Sequence, residues 1–199
     1  MIGSWEGNVV SGSGEDFGEM MRWFEKAEPE NYEYACSLID VASFMDYYCL
    51  EMFAGNVDWP SNNMRCWQAA GMKWRWMFFD GDGCFSDPDF DVFANAVYTG
   101  DEIWPSSTVS TLVFRKLLAN GQFRDAFYER FGRLLVGQFA TERLGEYFDE
   151  EVNIIYEELG FQEERFSPPP YSECNLTNER ANFQYFLSNR IVNIAEDAC

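Results

Sequence analysis

The sequence predicts an α+β domain that is mostly α-helical and carries one small β-hairpin. Apolar residues recur three or four positions apart through most of the chain, which is the spacing of the buried face of a helix. The stretch from Met64 to Phe79 is different. Two segments rich in aromatic residues flank a break that contains Gly71, and apolar and polar residues alternate along the second segment, as in paired strands.

The composition agrees with one folded domain. The chain has 199 residues, of which 47% are hydrophobic and 18% aromatic, and this is enough apolar surface for a sizeable core. We expect an N-terminal loop and helix over residues 1–30 and a main part over residues 31–199. Within the main part, residues 106–199 are expected to form a helical subdomain.

The bounds of the helices follow from the periodicity and from residues that start or stop helices. Asp40 is expected to cap a helix that starts at Val41, and Gly55 is expected to end it. Residues 3–14, rich in glycine and serine, predict a loop or a frayed end, and residues 83–105 predict a long loop. Helical stretches are predicted over residues 15–26, 32–53, 108–120, 123–135, 141–160 and 178–195.

Charge and cysteine content narrow the classes of partner and site. The net charge of −20 argues against nucleic acid, whose phosphates would be repelled, and favours basic partners or bound cations. No apolar run has the length needed to cross a bilayer, and the first residues lack the basic and apolar regions of a signal peptide. The six cysteines show no Cys-x-x-Cys spacing and the chain has no histidine, so no zinc site is expected. Their even number permits disulfides in an exported protein, and the compartment stays open.

Acidic and amide residues lie on both sides of the predicted hairpin. Asp58 and Asn63 precede it, separated by four residues, and Asp80 and Asp82 follow it. Because a hairpin returns the chain to its starting edge, the loops before and after it are expected to meet. The sequence therefore predicts one acidic site that combines the four side chains.

This order of residues suits phosphoryl transfer. A kinase orients the substrate hydroxyl with one carboxylate and holds magnesium on the nucleotide with an asparagine and a second aspartate. Protein kinases carry these groups as Asp-x-x-x-x-Asn, a hairpin and then a metal-binding Asp. Asp58, Asn63 and Asp80 follow the same order. The spacing alone is a weak signal in a chain so rich in Asp and Asn, whereas the order of three elements is more specific.

Four sets of motifs lie within residues 31 to about 143: Ile39-Asp40 with Ser43-Phe-Met-Asp-Tyr47, Gly55-Asn56-x-Asp58 with Asn63, Phe79-Asp80-x-Asp82, and Leu112-x-x-Arg115-Lys-Leu117-Leu-x-Asn120 with Phe123-Arg124. In these motifs the region resembles the CotH (spore coat protein H) kinase family of atypical protein kinases. Two departures stand out. Phe79 occupies a position where the family usually has Trp, and only residues 1–30 precede the region, where the family has its nucleotide-anchoring half.

The resemblance implies the C-terminal lobe of a kinase-like fold, with the N-terminal lobe largely absent and the chain a fragment. It implies an ATP- and magnesium-dependent kinase (manganese or calcium being alternative metals) that acts on Ser or Thr of a basic, serine-rich protein. Asp58 is the implied catalytic residue, Asn63, Asp80 and Asp82 the implied metal ligands, and Asn56 a supporting residue. A location in the spore coat, at the cell surface or outside the cell is implied as well.

Two other functions remain open at this point. An inactive kinase-like binding or structural module agrees with the scarcity of lysine, because only Lys26, Lys73 and Lys116 are present and none lies in a phosphate-gripping glycine loop. An acidic calcium-binding domain agrees with the run from Asp80 to Asp91. That run is not an EF-hand, since its sixth position is Phe85 rather than Gly and its twelfth is Asp rather than Glu.

Overall fold

A computed structural model describes residues 2–3, 8–100, 107–166 and 173–197. It confirms the predicted class, mostly α-helical with a small antiparallel sheet. None of the described helices is long and apolar enough to cross a membrane. The described helices are α1 (Glu15–Lys26), α2 (Tyr32–Leu38), α3 (Val41–Ala54), α4 (Val92–Ala96), α5 (Leu112–Leu118), α6 (Gly121–Leu135), α7 (Thr141–Arg165) and α8 (Glu173–Asp197).

The predicted hairpin is present. Strands β3 (Arg65–Trp67) and β4 (Arg75–Met77) pair antiparallel, with Cys66 opposite Trp76. Two further strands, β1 (Ile2–Gly3) and β2 (Asn8–Val9), extend the sheet in the order β2-β1-β3-β4. The prediction that residues 3–14 form only a loop or a frayed end is therefore wrong for these strands. They are too short to show an alternating pattern, and they form because β1 pairs with the open edge of β3.

The buried face of the hairpin agrees only in part with the alternation. Trp74 and Trp76 are buried, as expected. Phe78, which continues the same alternation, is exposed. Strand β4 ends at Met77, so the pleat no longer determines the direction of the next side chain.

The predicted helical stretch over residues 32–53 is two helices with a break at Ile39 and Asp40. Asp40 caps α3 as predicted, its carboxylate accepting a hydrogen bond from the Ser43 amide at 3.2 Å. The backbone at the break bonds to the hairpin instead of continuing the helix: Trp74 N–H donates to the Leu38 carbonyl and Asp40 N–H to the Trp74 carbonyl, both at 2.9 Å. Asp40 also forms an ion pair with Arg75 at 2.6 Å.

Several other element bounds differ from the expectation. The predicted loop over residues 83–105 contains α4, a five-residue helix too short to show a period, whose N-terminus is capped by the Asp91 carboxylate at 2.8 Å. Helix α5 begins later than predicted because Ser107 and Ser110 bond each other in a separate turn. Helices α7 and α8 are longer than the predicted 141–160 and 178–195. Residues 101–105, the end of the predicted loop over residues 83–105, lie outside the described residues.

Helix α3 lies at the centre of the core. Its Phe44 packs edge-on against Trp76 of β4 at 4.7 Å between ring centroids, and its Tyr48 stacks on Phe114 of α5 at 4.2 Å. All four residues are buried. Gly55 ends the helix as predicted, with a φ of 65° in the left-handed region. The loop that follows Gly55 therefore starts from a helix whose side chains are largely buried in the core.

Arg190 of α8 fastens the end of α3. The side chain is 1% exposed, and its guanidinium donates to the carbonyls of Met52 at 2.5 Å and Phe53 at 3.1 Å. It also donates to the carbonyls of Pro88 at 2.8 Å and Phe90 at 2.9 Å. A cation at the C-terminus of a helix satisfies carbonyls that have no partner within the helix. Arg190 thus holds together the end of α3 and the segment before α4.

Candidate functional site

The loops on either side of the hairpin meet, as the sequence predicts. We name residues 56–63, before β3, the first loop and residues 80–83, after β4, the second loop. The Val57 amide donates to the Gly83 carbonyl at 3.3 Å, and the Asn63 side-chain amide donates to the Asp80 carbonyl at 3.1 Å. The hairpin therefore joins the two loops into one surface that carries Asp58, Asn63, Asp80 and Asp82.

Asn56 is the first residue of the first loop, and it is buried. It has no exposed surface, and both ends of its side-chain amide are bonded. Nδ2 donates to Oε2 of Glu51 at 2.9 Å, and Oδ1 accepts from the Asp58 amide at 3.2 Å. Gly83 of the second loop packs directly on this amide, since a β-carbon there would lie 3.3 Å from Asn56 Oδ1. The supporting role that the family resemblance implies for Asn56 agrees with this position.

Asp58 is held mainly through its backbone. Its amide bonds Asn56, and its carbonyl accepts from the Asn62 amide at 3.1 Å. Its half-buried carboxylate accepts a bond from the Asn62 side chain at 3.4 Å. The next residue, Trp59, is fully buried and donates its indole N–H to the Tyr47 hydroxyl at 2.7 Å. The aspartate is therefore presented at the surface from a loop whose neighbouring residue is anchored in the core.

Asn63 and Asp80 both adopt left-handed backbone conformations, with φ values of 53° and 59°. Asn and Asp tolerate this region better than other non-glycine residues. Asn63 is buried, and because its Nδ2 is directed at the Asp80 carbonyl, its Oδ1 is the oxygen left to accept another partner. Asp80 and Asp82 are exposed, and neither carboxylate takes a hydrogen bond from the described residues.

The donor set suits a hard cation that keeps other ligands of its own. Asn63, Asp80 and Asp82 offer only oxygen atoms, which Mg²⁺ prefers, and Mg²⁺ in nucleotide enzymes is completed by phosphate oxygens and water rather than by a protein cage. Among the described residues, no three Cys, Asp or Glu side chains are grouped closely enough to hold a metal by themselves. A metal held by these oxygen donors would therefore need further ligands, such as water or phosphate oxygens.

The acidic run from Asp80 to Asp91 does not converge on one centre. Asp87 accepts from the Asp89 amide, Asp91 caps α4, and Asp89 bonds Asn193 of α8. Three of its carboxylates therefore serve local structure, and only Asp80 and Asp82 adjoin the first loop. This arrangement gives the calcium-binding alternative no site among these residues.

Glu51 is a feature of the site that the sequence reasoning missed. It lies in α3 with no exposed surface, and burial raises its pKa to about 8. The hydrogen bond from Asn56 and the nearby Tyr47 hydroxyl act in the opposite direction and lower the Glu51 pKa. Oε1 of Glu51 has no hydrogen-bond partner in the described part of the chain. The signal in the sequence is an acidic residue inside the otherwise apolar run Tyr47–Ala54.

The cations near the site are few. Arg75 is engaged by Asp40, whereas Arg65 lies over the Phe79 ring, 4.2 Å from its centroid, and forms no ion pair within the described residues. Phe79 immediately precedes Asp80, so this contact keeps one positive charge beside the second loop.

Comparison with known protein families identifies the family of the chain that carries this surface. A family model described as CotH kinase protein matches residues 4–191. The chain belongs to the CotH kinase family. The match extends well beyond residues 31 to about 143, whose motifs resemble the family, and membership supports a kinase-like transferase function in general terms. Searches of curated proteins and of solved structures found no significant match.

Proposed function

We propose that this CotH kinase protein transfers the γ-phosphoryl group of ATP, as its magnesium complex, to Ser or Thr of a protein. The observation that carries the proposal is the meeting of the two loops through the Asn63–Asp80 and Val57–Gly83 bonds. Phosphoryl transfer requires a hydroxyl-orienting carboxylate and metal-binding groups at one centre. The hairpin brings together the loops that carry Asp58, Asn63 and Asp80, in the residue order that protein kinases use, and this supports the proposal.

Asp58 is proposed to orient the substrate hydroxyl and accept its proton. Its carboxylate is only half-buried, so a hydroxyl can approach it, and its backbone is fixed by Asn56. In-line transfer depends on position more than on covalent chemistry, and a base misplaced by about 1 Å can lose on the order of a hundredfold in rate. The rigid first loop meets this requirement.

Asn63 and Asp80 are proposed as ligands of the metal, with Asp82 as a further ligand. When bound, Mg²⁺ would supply positive charge that offsets the charge of the nucleotide phosphates. Asn63 is directed by the bond from its Nδ2 to the Asp80 carbonyl, and this bond joins the two loops that carry the proposed ligands. Arg65 is proposed to add a positive charge toward the phosphates.

The protein substrate is proposed to be basic and rich in serine. A surface with a net charge of −20 attracts positively charged chains and repels acidic ones. Such a substrate, together with the family's association with the spore coat, supports a location outside the cytoplasm.

The isolated 199-residue chain is proposed to be a slow kinase. A nucleotide triphosphate is repelled by the acidic surface unless metal and protein cations offset the repulsion. Of the lysines, Lys116 donates its ammonium to the Ala27 carbonyl at 2.9 Å, and Lys26 and Lys73 lie exposed on α1 and before β4. With Arg75 engaged by Asp40, Arg65 is the described cation left beside the second loop.

The test combines binding with transfer. Magnesium, calcium and ATP are titrated separately and together by calorimetry, and transfer from radiolabelled ATP to a basic, serine-rich protein is then measured. The proposal expects ATP binding that requires Mg²⁺ or Mn²⁺, and weak transfer to Ser or Thr that Asp58→Asn abolishes. Failure to bind ATP with any divalent metal would show a binding module instead, and tight binding of Ca²⁺ without nucleotide would show a calcium domain.

A further inference from the structure

A carboxyl group is buried beneath the site at Glu51. Its side chain has no exposed surface, because Glu51 lies in α3 among residues that form the aromatic core. Burying an ionisable group without full hydrogen bonding costs several kcal/mol in typical cases. Oε1 nevertheless has no hydrogen-bond partner among the described residues. A residue kept in such a place needs an explanation beyond packing.

The hydrogen bonds of Glu51 lead directly to the first loop. Oε2 accepts from Asn56 Nδ2 at 2.9 Å, and the Glu51 carbonyl accepts from the Asn56 backbone amide at 3.4 Å. Asn56 Oδ1 in turn accepts from the Asp58 amide at 3.2 Å. Three residues are thus linked in sequence, with Asn56 wholly buried between a helix and the loop that bears Asp58.

The two ends of the Asn56 amide are chemically opposite, and only one orientation satisfies both neighbours. Nδ2 can only donate and Oδ1 can only accept. The acceptor oxygen Oε2 at position 51 takes the NH₂ end, which leaves Oδ1 of Asn56 for the Asp58 N–H. In the flipped amide, two oxygens would face each other at Glu51 and two donors would face each other at Asp58. The acceptor at position 51 therefore selects the orientation that holds Asp58.

We propose that Glu51 is a positioning residue that fixes the Asn56 amide and, through it, the backbone of Asp58. The inference rests on the proposed role of Asp58 only for its effect on the reaction rate. The structural part, that the hydrogen bond to the Asp58 amide depends on the acceptor at position 51, stands without that role. Gly83 strengthens the arrangement because it lets the second loop close against the same Asn56 amide.

Substitutions at position 51 distinguish a positioning role of Glu51 from a general packing role. Glu51→Gln keeps the size of the side chain and an acceptor oxygen, so it retains the bond from Asn56. Glu51→Met keeps the length and apolar volume but has no comparable acceptor. Glu51→Asp keeps the carboxyl group but withdraws the acceptor from Asn56. Glu33→Met, at an exposed position on α2, is the matched control.

The first measurement is hydrogen exchange of the Asp58 backbone amide in the folded protein, observed by NMR. Exchange is expected to accelerate roughly tenfold or more in Glu51→Met and Glu51→Asp, and to stay within about threefold of the original protein in Glu51→Gln and Glu33→Met. An Asp58 amide that exchanges at an unchanged rate in Glu51→Met overturns the inference. If Glu51→Met fails to fold, Glu51→Asp against Glu51→Gln gives the same test, and an Asp variant that protects Asp58 better than the Gln variant overturns it.

The second measurement is steady-state phosphate transfer. In Glu51→Met and Glu51→Asp, kcat is expected to fall roughly tenfold or more while KM for ATP stays within about threefold, because the metal ligands are on other residues. Equal loss of kcat in Glu51→Gln would contradict positioning. If the unaltered protein shows no transfer at all, the proposed function fails, and the exchange measurement still decides the role of Glu51.

Discussion

The two loops of the site are built in opposite ways. The first loop is anchored in the core: Asn56 and Trp59 have no exposed surface, Ser61 is 1% exposed, and the Asn56 and Trp59 side chains bond to residues of α3. The second loop carries the exposed residues Asp80 and Asp82, whose carboxylates take no hydrogen bond from the described residues. One loop is fixed by side chains and the other by its backbone alone.

This difference matches the two tasks of a phosphotransferase. A base must be in place before the substrate arrives, because rate depends on its position in the transition state. Metal ligands can remain solvated until the cation arrives, since the bound metal then orders them. The comparison predicts that changes in the first loop alter kcat, stability or both, whereas changes in the second loop alter the binding of metal and nucleotide.

The largest effect is expected for Asp58→Asn. The amide keeps the shape of the side chain and its contact with Asn62, but it cannot accept a proton from the substrate hydroxyl. We expect kcat to fall by roughly a thousandfold or more, with KM for ATP changed less than about threefold, measured by initial rates of phosphate transfer. Asp125→Asn, at an exposed position on α6, is the control and should retain full activity. Nearly normal kcat in Asp58→Asn would remove Asp58 from the chemistry.

The second effect concerns the dependence of stability on pH at Glu51. Burial raises the Glu51 pKa from 4.5 to about 8 in the folded state, so between these values the folded protein holds a proton that the unfolded chain has released. Stability from this group is present below about pH 4.5 and is lost as pH rises toward 8. Since each pKa unit corresponds to about 1.4 kcal/mol, the loss is on the order of 3 to 5 kcal/mol.

Glu51→Gln has no such proton to lose. Its free energy of unfolding, measured by urea titration at several pH values, should increase relative to that of the original protein as pH rises from 5 to 8. Taking the difference between the two proteins cancels the effect of the other acidic residues. Glu33→Gln is the control, because it makes the same substitution at an exposed glutamate. A difference that stays constant, or that falls with rising pH, would show that the Glu51 carboxyl is ionised in the folded state throughout.

Asp80→Asn tests the second loop and should have the third largest effect. A neutral amide is a weaker ligand for Mg²⁺ than a carboxylate, so KM for magnesium–ATP is expected to rise roughly ten- to a hundredfold. Thermal stability should change little, because the carboxylate is exposed and makes no bond within the described residues. Raising the magnesium concentration should restore part of the rate. A variant that instead loses stability would mean that the second loop is also fixed by its side chains.

The sequence was sufficient for the features that local patterns determine. The helix predicted over residues 15–26 is α1, and the capping role of Asp40 and the terminating role of Gly55 are confirmed. The meeting of the two loops also follows from local pairing, because a hairpin fixes the positions of its own ends. The catalytic and metal-binding roles of the site residues stay predictions.

The features that the sequence left undetermined depend on contacts between distant parts of the chain. Arg190 bonds carbonyls of Met52 and Phe53 more than a hundred residues away, and no periodicity in α8 indicates that pairing. The break between α2 and α3 arises because Trp74 bonds the backbone at Leu38 and Asp40. Glu51 is similar, since its importance is visible only once the loop beyond Gly55 folds back on α3.

The smallest expected effect is that of Gly83→Ala, which presses the second loop against the first. A β-carbon at this position would lie 3.3 Å from Asn56 Oδ1 and 3.8 Å from the Asp58 amide nitrogen, the two atoms of the bond that holds Asp58. The 3.3 Å contact, and a second one of 3.3 Å to Val57 Cγ2, would displace the neighbours by a few tenths of an ångström, and a shift of either loop would disturb the Val57–Gly83 bond. We therefore expect kcat to fall roughly three- to tenfold while the free energy of unfolding drops by about 1 kcal/mol or less.

Gly132→Ala on α6 is the control, because a β-carbon there meets nothing within 4 Å. Replacing a glycine inside a helix should add up to about 1 kcal/mol of stability without altering kcat. A Gly83→Ala protein with unchanged kcat would show that the two loops, though in contact, do not depend on each other for the position of Asp58.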